Sequence, residues 1–175
     1  MKKALRIWLV DATTYNLQLN DELRVQKNIY FRIKSFVKRS HSLYTEHIAP
    51  GENTLSLGLL RIATILDDLE YDVTYLTFKD AKQKIETESI NLFPDIIGFS
   101  AVTPTVDACA KISEKIKSLT NKVRICLGGA HVKFAKHLTE IKYKDLFDEY
   151  IIEDDIDAVS KLIGEKIDTQ LDYHI

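Results

Sequence analysis

Three short stretches place small hydroxyl-bearing residues or glycines where apolar runs stop. Residues 10–14 read VDATT, residues 99–105 read FSAVTPT and residues 128–131 read GGAH. The hydroxyls of Ser100 and Thr103 can donate and accept hydrogen bonds, and a double glycine lets a ligand approach the backbone closely. Each corner alone has an ordinary explanation, because strand-to-helix turns use Ser, Thr and Gly as caps. Three such corners together predict a wide cleft for a large cofactor.

The motifs of common nucleotide-binding sites are missing from these corners. Neither a G-x-G-x-x-G stretch nor a phosphate-binding loop follows the first apolar run, and a phospho-acceptor site would need an aspartate where Ser100 stands. Asp11, His131 and Glu153 are the acid–base candidates at predicted strand ends. An enzyme that acts on another small molecule through these residues is therefore a weaker, third hypothesis.

An alternation of strands and helices places the three corners at one edge of a sheet. The apolar runs that predict strands cover 5–10, 71–78, 94–100, 122–131 and 146–157. Helical patterns cover 55–69, 79–89, 104–119 and 158–167. Nearly continuous apolar strands indicate a sheet covered by helices on both faces. The fold class predicted is α/β, with a doubly wound five-stranded parallel sheet in a flavodoxin-like (Rossmann-like) three-layer sandwich.

The order expected for such a sheet is 2-1-3-4-5, with strands 1 and 3 at the switch point where ligands bind. A single domain is expected over 1–175, with a variable, partly helical insertion at about 14–50. In the insertion, Ile29, Ile33 and Phe36 recur at near-helical spacing beside several basic residues. Two interpretations of this basic segment stay open: a solvated face over a small satellite core, or a rim for an anionic ligand or partner.

Composition narrows the class of partner. The formal net charge of −2 provides no global basic field, so neither nucleic acid nor a membrane surface is an expected partner. No apolar run is long enough to span a bilayer. Cys109 and Cys126 form no disulfide framework and no metal motif, which favours a cytoplasmic location, and both are expected in the core. The five histidines show no zinc-like spacing.

Four pieces of the chain resemble a known family, the cobalamin (vitamin B12)-binding domains at the N-terminus of many radical S-adenosylmethionine enzymes. The pieces are PGENTLSLGLLRIATILDDLEYDVTYLTF, FPDIIGFSAVTPTVDACAKISEKIK, VRICLGGAHV and FDEYIIEDDIDAVSKLI. The resemblance spans roughly residues 5–165. PDIIGFS and LGGAH at their observed separation are the most specific part of it.

The resemblance implies that cobalamin lies over the carboxyl ends of the strands. The residues that match the family's cofactor-binding loops are Thr13, Thr14, Ser100, Ala101, Val102, Thr103, Gly128, Gly129, Ala130, His131 and Glu153. The stretch from Ser100 matches the loop that lines the corrin and the buried nucleotide tail, and the double glycine matches the turn against which that tail packs. For His131 two interpretations stay open, a contact at the edge of the cofactor or an ordinary turn residue.

Two departures from the family pattern bear on how the cofactor would be bound. Cobalamin domains that ligate cobalt through a protein imidazole carry Asp-x-His-x-x-Gly after strand 1. Here Thr13 stands at the His position and Asn16 at the Gly position. The resemblance then implies base-off binding without a protein His ligand. A Gly-Glu pair usual after strand 5 is Ile152-Glu153 here, which is expected to narrow that turn.

The function expected is a cobalamin-binding module that holds its cofactor for a radical S-adenosylmethionine methyltransferase-type partner or catalytic domain. The Cys-x-x-x-Cys-x-x-Cys motif for an iron–sulfur cluster is missing, so the chain is not expected to catalyse on its own. The alternative is a degenerate domain that acts without cofactor as a protein-interaction or regulatory subunit. The substitutions at Thr13, Asn16 and Ile152 motivate it.

Overall fold

The fold is organised around one twisted sheet. The computed structural model of the chain describes residues 5–13, 31–32 and 56–167. The strands within these ranges are β1 (Arg6–Asp11), β2 (Phe31–Arg32), β3 (Asp72–Thr77), β4 (Ile96–Ser100), β5 (Arg124–Gly128) and β6 (Glu149–Tyr150). Their order is β2-β3-β1-β4-β5-β6. From β3 to β6 all neighbours run parallel, which confirms the predicted five-stranded sheet and its order.

Helices cover both faces of the sheet, as the apolar strands predict. They are α1 (Leu57–Asp68), α2 (Phe78–Thr87), α3 (Val106–Leu119), α4 (Ala130–Lys142) and α5 (Asp155–Ile163). Helices α1 and α5 share one buried cluster with one sheet face, and α2, α3 and α4 share a second cluster with the other. The three-layer sandwich is therefore confirmed. The sequence patterns did not predict α4, which has an unusually apolar outward face.

The two-residue period of the strands decides which side chain enters which layer. In β4, Ile97 and Phe99 lie in the cluster under α2 and α3, and Ile96 lies in the cluster under α1 and α5. In β1, Trp8 and Leu9 separate in the same way. Both faces of the central strands are buried, and this explains why their sequences are apolar without alternation.

The region at about 14–50 is described only at Phe31–Arg32. These residues pair antiparallel with β3, Phe31 opposite Tyr75, and extend the sheet by a short edge strand that the sequence did not predict. Thr14 and the basic segment on either side of β2 lie outside the described residues, so the partly helical insertion stays a prediction. Within the described ranges, no helix combines the length and apolarity needed to cross a membrane.

Candidate functional site

Small residues at the ends of three adjacent strands leave an open space on one face of the sheet. Asp11, Ser100 and Gly128 align across β1, β4 and β5 in the pairing register. One layer deeper, Leu9, Gly98 and Cys126 align in the same way. Because alternate residues share a face, all six point toward the layer of α1 and α5. On the opposite face the same strand ends carry large side chains and are filled.

This space is a cavity of about 360 Å³, called here the strand-end cavity. Five of these sheet residues line it, namely Leu9, Gly98, Ser100, Cys126 and Gly128, and residues of α1 and α5 form the opposite walls. The helix residues that line it are Gly58, Leu59, Ile62, Ala158 and Leu162. Ligand sites in proteins enclose about 300–1,000 Å³ and are mostly apolar with a few polar groups, so the cavity has the size and character of one.

Gly129 allows the loops after β4 and β5 to pack against each other. Its φ is 94°, and a Cβ atom there would lie 2.6 Å from both the backbone N and O of Ala101. The Ala101 N–H donates to the Gly128 carbonyl at 2.9 Å, and the His131 N–H donates to the Ala101 carbonyl at 3.2 Å. Only glycine fits this close, left-handed turn. The double glycine thus fixes the cavity wall through backbone contact.

A buried carboxylate fixes the opposite side of the cavity. Asp11 is 4% exposed and accepts four hydrogen bonds. One oxygen accepts from the Thr13 N–H at 2.9 Å and the Thr13 hydroxyl at 2.6 Å. The other accepts from the Ser56 N–H at 3.0 Å and the Tyr75 hydroxyl at 2.5 Å. Asp11 therefore ties the end of β1 to the start of α1 and to β3, and Thr13 and Ser56 both line the cavity.

The Ser100 hydroxyl is a polar group of the cavity wall that is available to a ligand. Ser100 is 9% exposed, and its hydroxyl makes no hydrogen bond to the part of the chain that the structure describes. The hydroxyl lies at the wall of the cavity, so it can donate to or accept from a bound molecule. This group and the glycine-lined space fit a bulky ligand that carries a hydrogen-bonding group.

The predicted site residues fall into three sets. Those that line the cavity are Thr13, Ser100, Val102, Gly128, Gly129, Ala130 and Glu153. Ala101 is fully buried behind the wall, where its backbone holds the glycine turn. Thr103 and His131 lie outside the lining and contact each other. Thr14 lies outside the described residues.

His131 is held by two threonines. Its Nδ1 lies 3.1 Å from the Thr103 hydroxyl, and its Nε2 lies 3.0 Å from the Thr139 hydroxyl. The Thr139 hydroxyl donates to the Ala135 carbonyl, so it accepts from Nε2, which carries the proton. Helix α4 bends at Ala135, where φ is −133°. Both ring nitrogens are thus used to join the bend of α4 to the turn after β4.

Charged groups surround the mouth of the cavity, and Glu153 is the most buried of them. Burial acts to raise the pKa of Glu153, but the backbone N–H groups of Glu153 and Ile152 and the Lys161 ammonium outweigh it, so the pKa is lowered. The Ile152 N–H donates to its Oε2 at 3.1 Å. Ile152 lines the rim and is not among the described residues with positive φ, so replacing the family's glycine there adds bulk without backbone strain.

Two ion pairs connect the helices at the mouth. Lys133 of α4 lies 2.7 Å from Asp154, and Arg61 of α1 lies 2.6 Å from Asp155 of α5. All four side chains are about half exposed or more, so each pair contributes little to stability. These ion pairs make the mouth polar and charged, while the interior is apolar.

No group of three His, Cys, Asp or Glu among the described residues could hold a metal ion.

Sequence reasoning missed the deep part of the cavity. Gly98, Cys126 and Leu9 were read as ordinary strand residues, and Ser56 and Gly58 as part of a helix. The available signal was Gly98, because a glycine inside an apolar strand often marks the close approach of another group. A Cβ atom at Gly98 would lie 2.9 Å from Leu162 and 3.3 Å from Leu9, which confirms that the position is crowded at its edge.

The fold and the site define a class before any comparison: a parallel α/β domain with a cavity at the switch point of its sheet, the place where such folds bind ligands. The model of the B12 binding domain family matches residues 48–163, about two thirds of the chain. The chain belongs to the B12 binding domain family, and this membership supports cobalamin as its ligand. No curated protein matches the chain.

Proposed function

We propose that this chain is a module that holds cobalamin in the base-off form for a radical S-adenosylmethionine methyltransferase-type partner or catalytic domain. The observation that carries the proposal is the strand-end cavity, which the small residues of β4 and β5 keep open. When bound, the cofactor supplies the methyl-transfer or radical chemistry at cobalt. The residues of the chain bind it, orient it and exclude water from its buried tail.

The cavity suits the nucleotide tail of the cofactor. It lies at the carboxyl edge of the sheet, and Ser100 and Gly128 at its wall match the loops that the family uses for the tail. The glycine turn at Gly129 lies against the Ala101 backbone and holds that wall in place. Thr13, Val102 and Ala130 at the strand ends are the residues that would contact the corrin.

The absence of an imidazole on cobalt is proposed from the residue at the His position. Thr13 occupies that position, and its hydroxyl donates to Asp11 at 2.6 Å. A threonine hydroxyl is a weak ligand for cobalt compared with an imidazole nitrogen. His131, the histidine closest in sequence to a cavity wall, has both ring nitrogens engaged with Thr103 and Thr139.

The electron paramagnetic resonance spectrum of the bound cobalt(II) form tests this proposal. Base-off binding without a protein imidazole leaves no nitrogen on the lower face of cobalt, so we expect a spectrum without nitrogen splitting. Free cobalamin in its base-on form provides the control with a three-line splitting from one nitrogen. A three-line splitting in the protein-bound sample would contradict the proposal, since it requires a nitrogen ligand from the chain or from the tail.

A second candidate function is a protein-interaction or regulatory subunit that has lost the cofactor. An apolar stripe on α4 favours it: Phe134, Leu138 and Ile141 are 88%, 70% and 63% exposed. Apolar residues at this spacing lie on one side of a helix, and exposed apolar patches often mark protein contacts. Failure of the chain to bind cobalamin at concentrations well above micromolar would favour this function over the first.

A further inference from the structure

We propose that residues 152–155, called here the rim turn, form a movable edge of the strand-end cavity that two exposed ion pairs hold closed. The opening of these pairs sets how fast a bulky molecule enters and leaves the cavity. This gating concerns access to the cavity, so it goes beyond the proposed function and can be tested without the cofactor.

The deep part of the cavity is closed off from solvent in this structure. Leu9, Cys126 and Leu162 line it, yet each is at most 2% exposed. Leu162 of α5 packs over Gly98, where a Cβ atom would lie 2.9 Å from the leucine side chain. A bulky molecule can therefore reach this depth only if a wall of the cavity moves.

Most walls are held by backbone hydrogen bonds or by buried groups. The strands β1, β4 and β5 each pair with a neighbour on both sides. The start of α1 is tied to β1 because the Ser56 N–H donates to the buried Asp11 carboxylate at 3.0 Å. The loops after β4 and β5 are held together by the close packing of Gly129 against the Ala101 backbone. Moving any of these walls breaks buried contacts.

The rim turn differs, because its backbone is not bonded to the neighbouring walls. The Ile152 N–H donates to the Glu153 carboxylate within the turn itself, and the Asp154 carbonyl accepts from an N–H of α5. Among the described residues, no backbone hydrogen bond joins the rim turn to a strand, to α1 or to α4. Asp155 has a φ of 54°, in the left-handed region that residues with a side chain seldom adopt. This backbone can rearrange once the side chains of the turn are released.

Two ion pairs tie the rim turn to the helices on either side of it. Asp154 lies 2.7 Å from Lys133 of α4, and Asp155 lies 2.6 Å from Arg61 of α1. The four side chains are between 46% and 75% exposed, so each pair is weak and screened by salt. The rim turn is thus the wall that opens at the lowest cost, and it opens when both pairs separate.

The binding kinetics of methylcobalamin, which carries no net charge, test this gating. Because the probe is neutral, salt does not act through long-range attraction of the ligand. We expect its association rate to rise about two- to fivefold between about 0.05 M and about 1 M salt, as the pairs are screened. Dissociation should accelerate by a similar factor, since the rim turn closes again over the bound molecule, and the Kd should change little.

Lys133→Met and Arg61→Met each remove one ion pair of the rim turn. Each variant should associate about two- to fivefold faster at low salt and depend less on salt than the unmodified chain. Lys142→Met is the matched control, because Lys142 lies on the same helix as Lys133, is 2.7 Å from Asp107 and does not line the cavity. Its rates should equal those of the unmodified chain. Unchanged or slower association in both rim variants would overturn the gating.

Proteolysis separates a failure of the gating from a failure of the proposed function. A protease specific for glutamate cleaves after Glu153 when the rim turn is displaced, so the cleavage rate reports the open population without any ligand. Cleavage after Glu70, in the exposed turn that follows α1, is the internal reference.

Both rim variants should raise the ratio of cleavage at Glu153 to cleavage at Glu70 by about two- to fivefold, and Lys142→Met should leave it unchanged. If methylcobalamin does not bind but the ratio rises, the proposed function fails and the gating stands. A ratio that is the same in the rim variants and in the unmodified chain would overturn the gating whether or not the cofactor binds.

Discussion

At the scale of single residues, the site depends on a few buried polar groups that sequence could place only in part. Asp11 was an acid–base candidate, and in the structure it is a buried acceptor whose partners include the Thr13 N–H. Its contacts with Ser56 and Tyr75 join residues 45 and 64 positions away, and no local pattern reveals them. The role of His131 was left open by the sequence, and in the structure its ring contacts two threonine hydroxyls and does not line the cavity.

Asp11→Asn should destabilise the chain by about 2 kcal/mol, because an amide leaves buried donors without an acceptor. Tyr75→Phe removes one of the four donors and should cost about 1 kcal/mol. Urea denaturation measures both. If Asp11 mainly positions the cavity wall, Asp11→Asn should also weaken cobalamin binding under conditions in which the variant is fully folded. Unchanged stability in both variants would contradict the network described here.

Glu153 should contribute to stability only above acidic pH. The pKa of Glu153 in the folded chain is lowered from its ordinary value of 4.5. The ionised carboxylate therefore stabilises the fold at pH values above the pKa that Glu153 has in the unfolded chain. This stabilisation is lost as pH falls through the pKa of Glu153 in the folded chain. Glu153→Gln lacks this contribution. The difference in unfolding free energy between the two proteins should therefore shrink from about pH 6 to about pH 3. A difference that stays constant over this range would show that the Glu153 carboxylate is not stabilised by folding.

At the scale of elements, the strands and most helices could be predicted because their apolar residues follow simple periods. Buried parallel strands such as β4 are continuous apolar runs, and α1 and α3 show a clear stripe. Helix α4 shows why prediction stops. Its buried residues are only Val132 and Thr139, while large apolar residues lie on its exposed side. The usual inference from apolarity to burial fails for it.

Gly129→Ala should destabilise the chain by about 2 kcal/mol or more, because it combines positive φ with a clash against the Ala101 backbone. Gly58→Ala is the matched control. It lies inside α1, and its Cβ would meet nothing within 4 Å. Since alanine favours helices, this variant should gain about 0.5 kcal/mol. Thermal unfolding of both variants checks the prediction, and a tolerated alanine at 129 would refute the packing of the two loops.

At the scale of the whole molecule, the order of strands and helices along the chain was enough to predict the fold, and the fold predicted where the site lies. The switch point between β1 and β4 follows from the strand order, and the cavity lies there. Sequence could not predict that the space opens on only one face. That depends on Gly98, Ser100 and Gly128 coming into register across separate strands. The basic segment on either side of β2 lies outside the described residues, and its two interpretations stay predictions.

The central claim, that cobalamin occupies the strand-end cavity, is tested most directly by cysteine modification with and without the cofactor. Cys126 lines the cavity, whereas Cys109 lies on the opposite face, and both are fully buried with a pKa raised by burial to about 12. We predict that hydroxocobalamin remains bound after desalting and slows modification of Cys126 much more than that of Cys109. Equal protection of both thiols, or no retained cofactor, would contradict the claim.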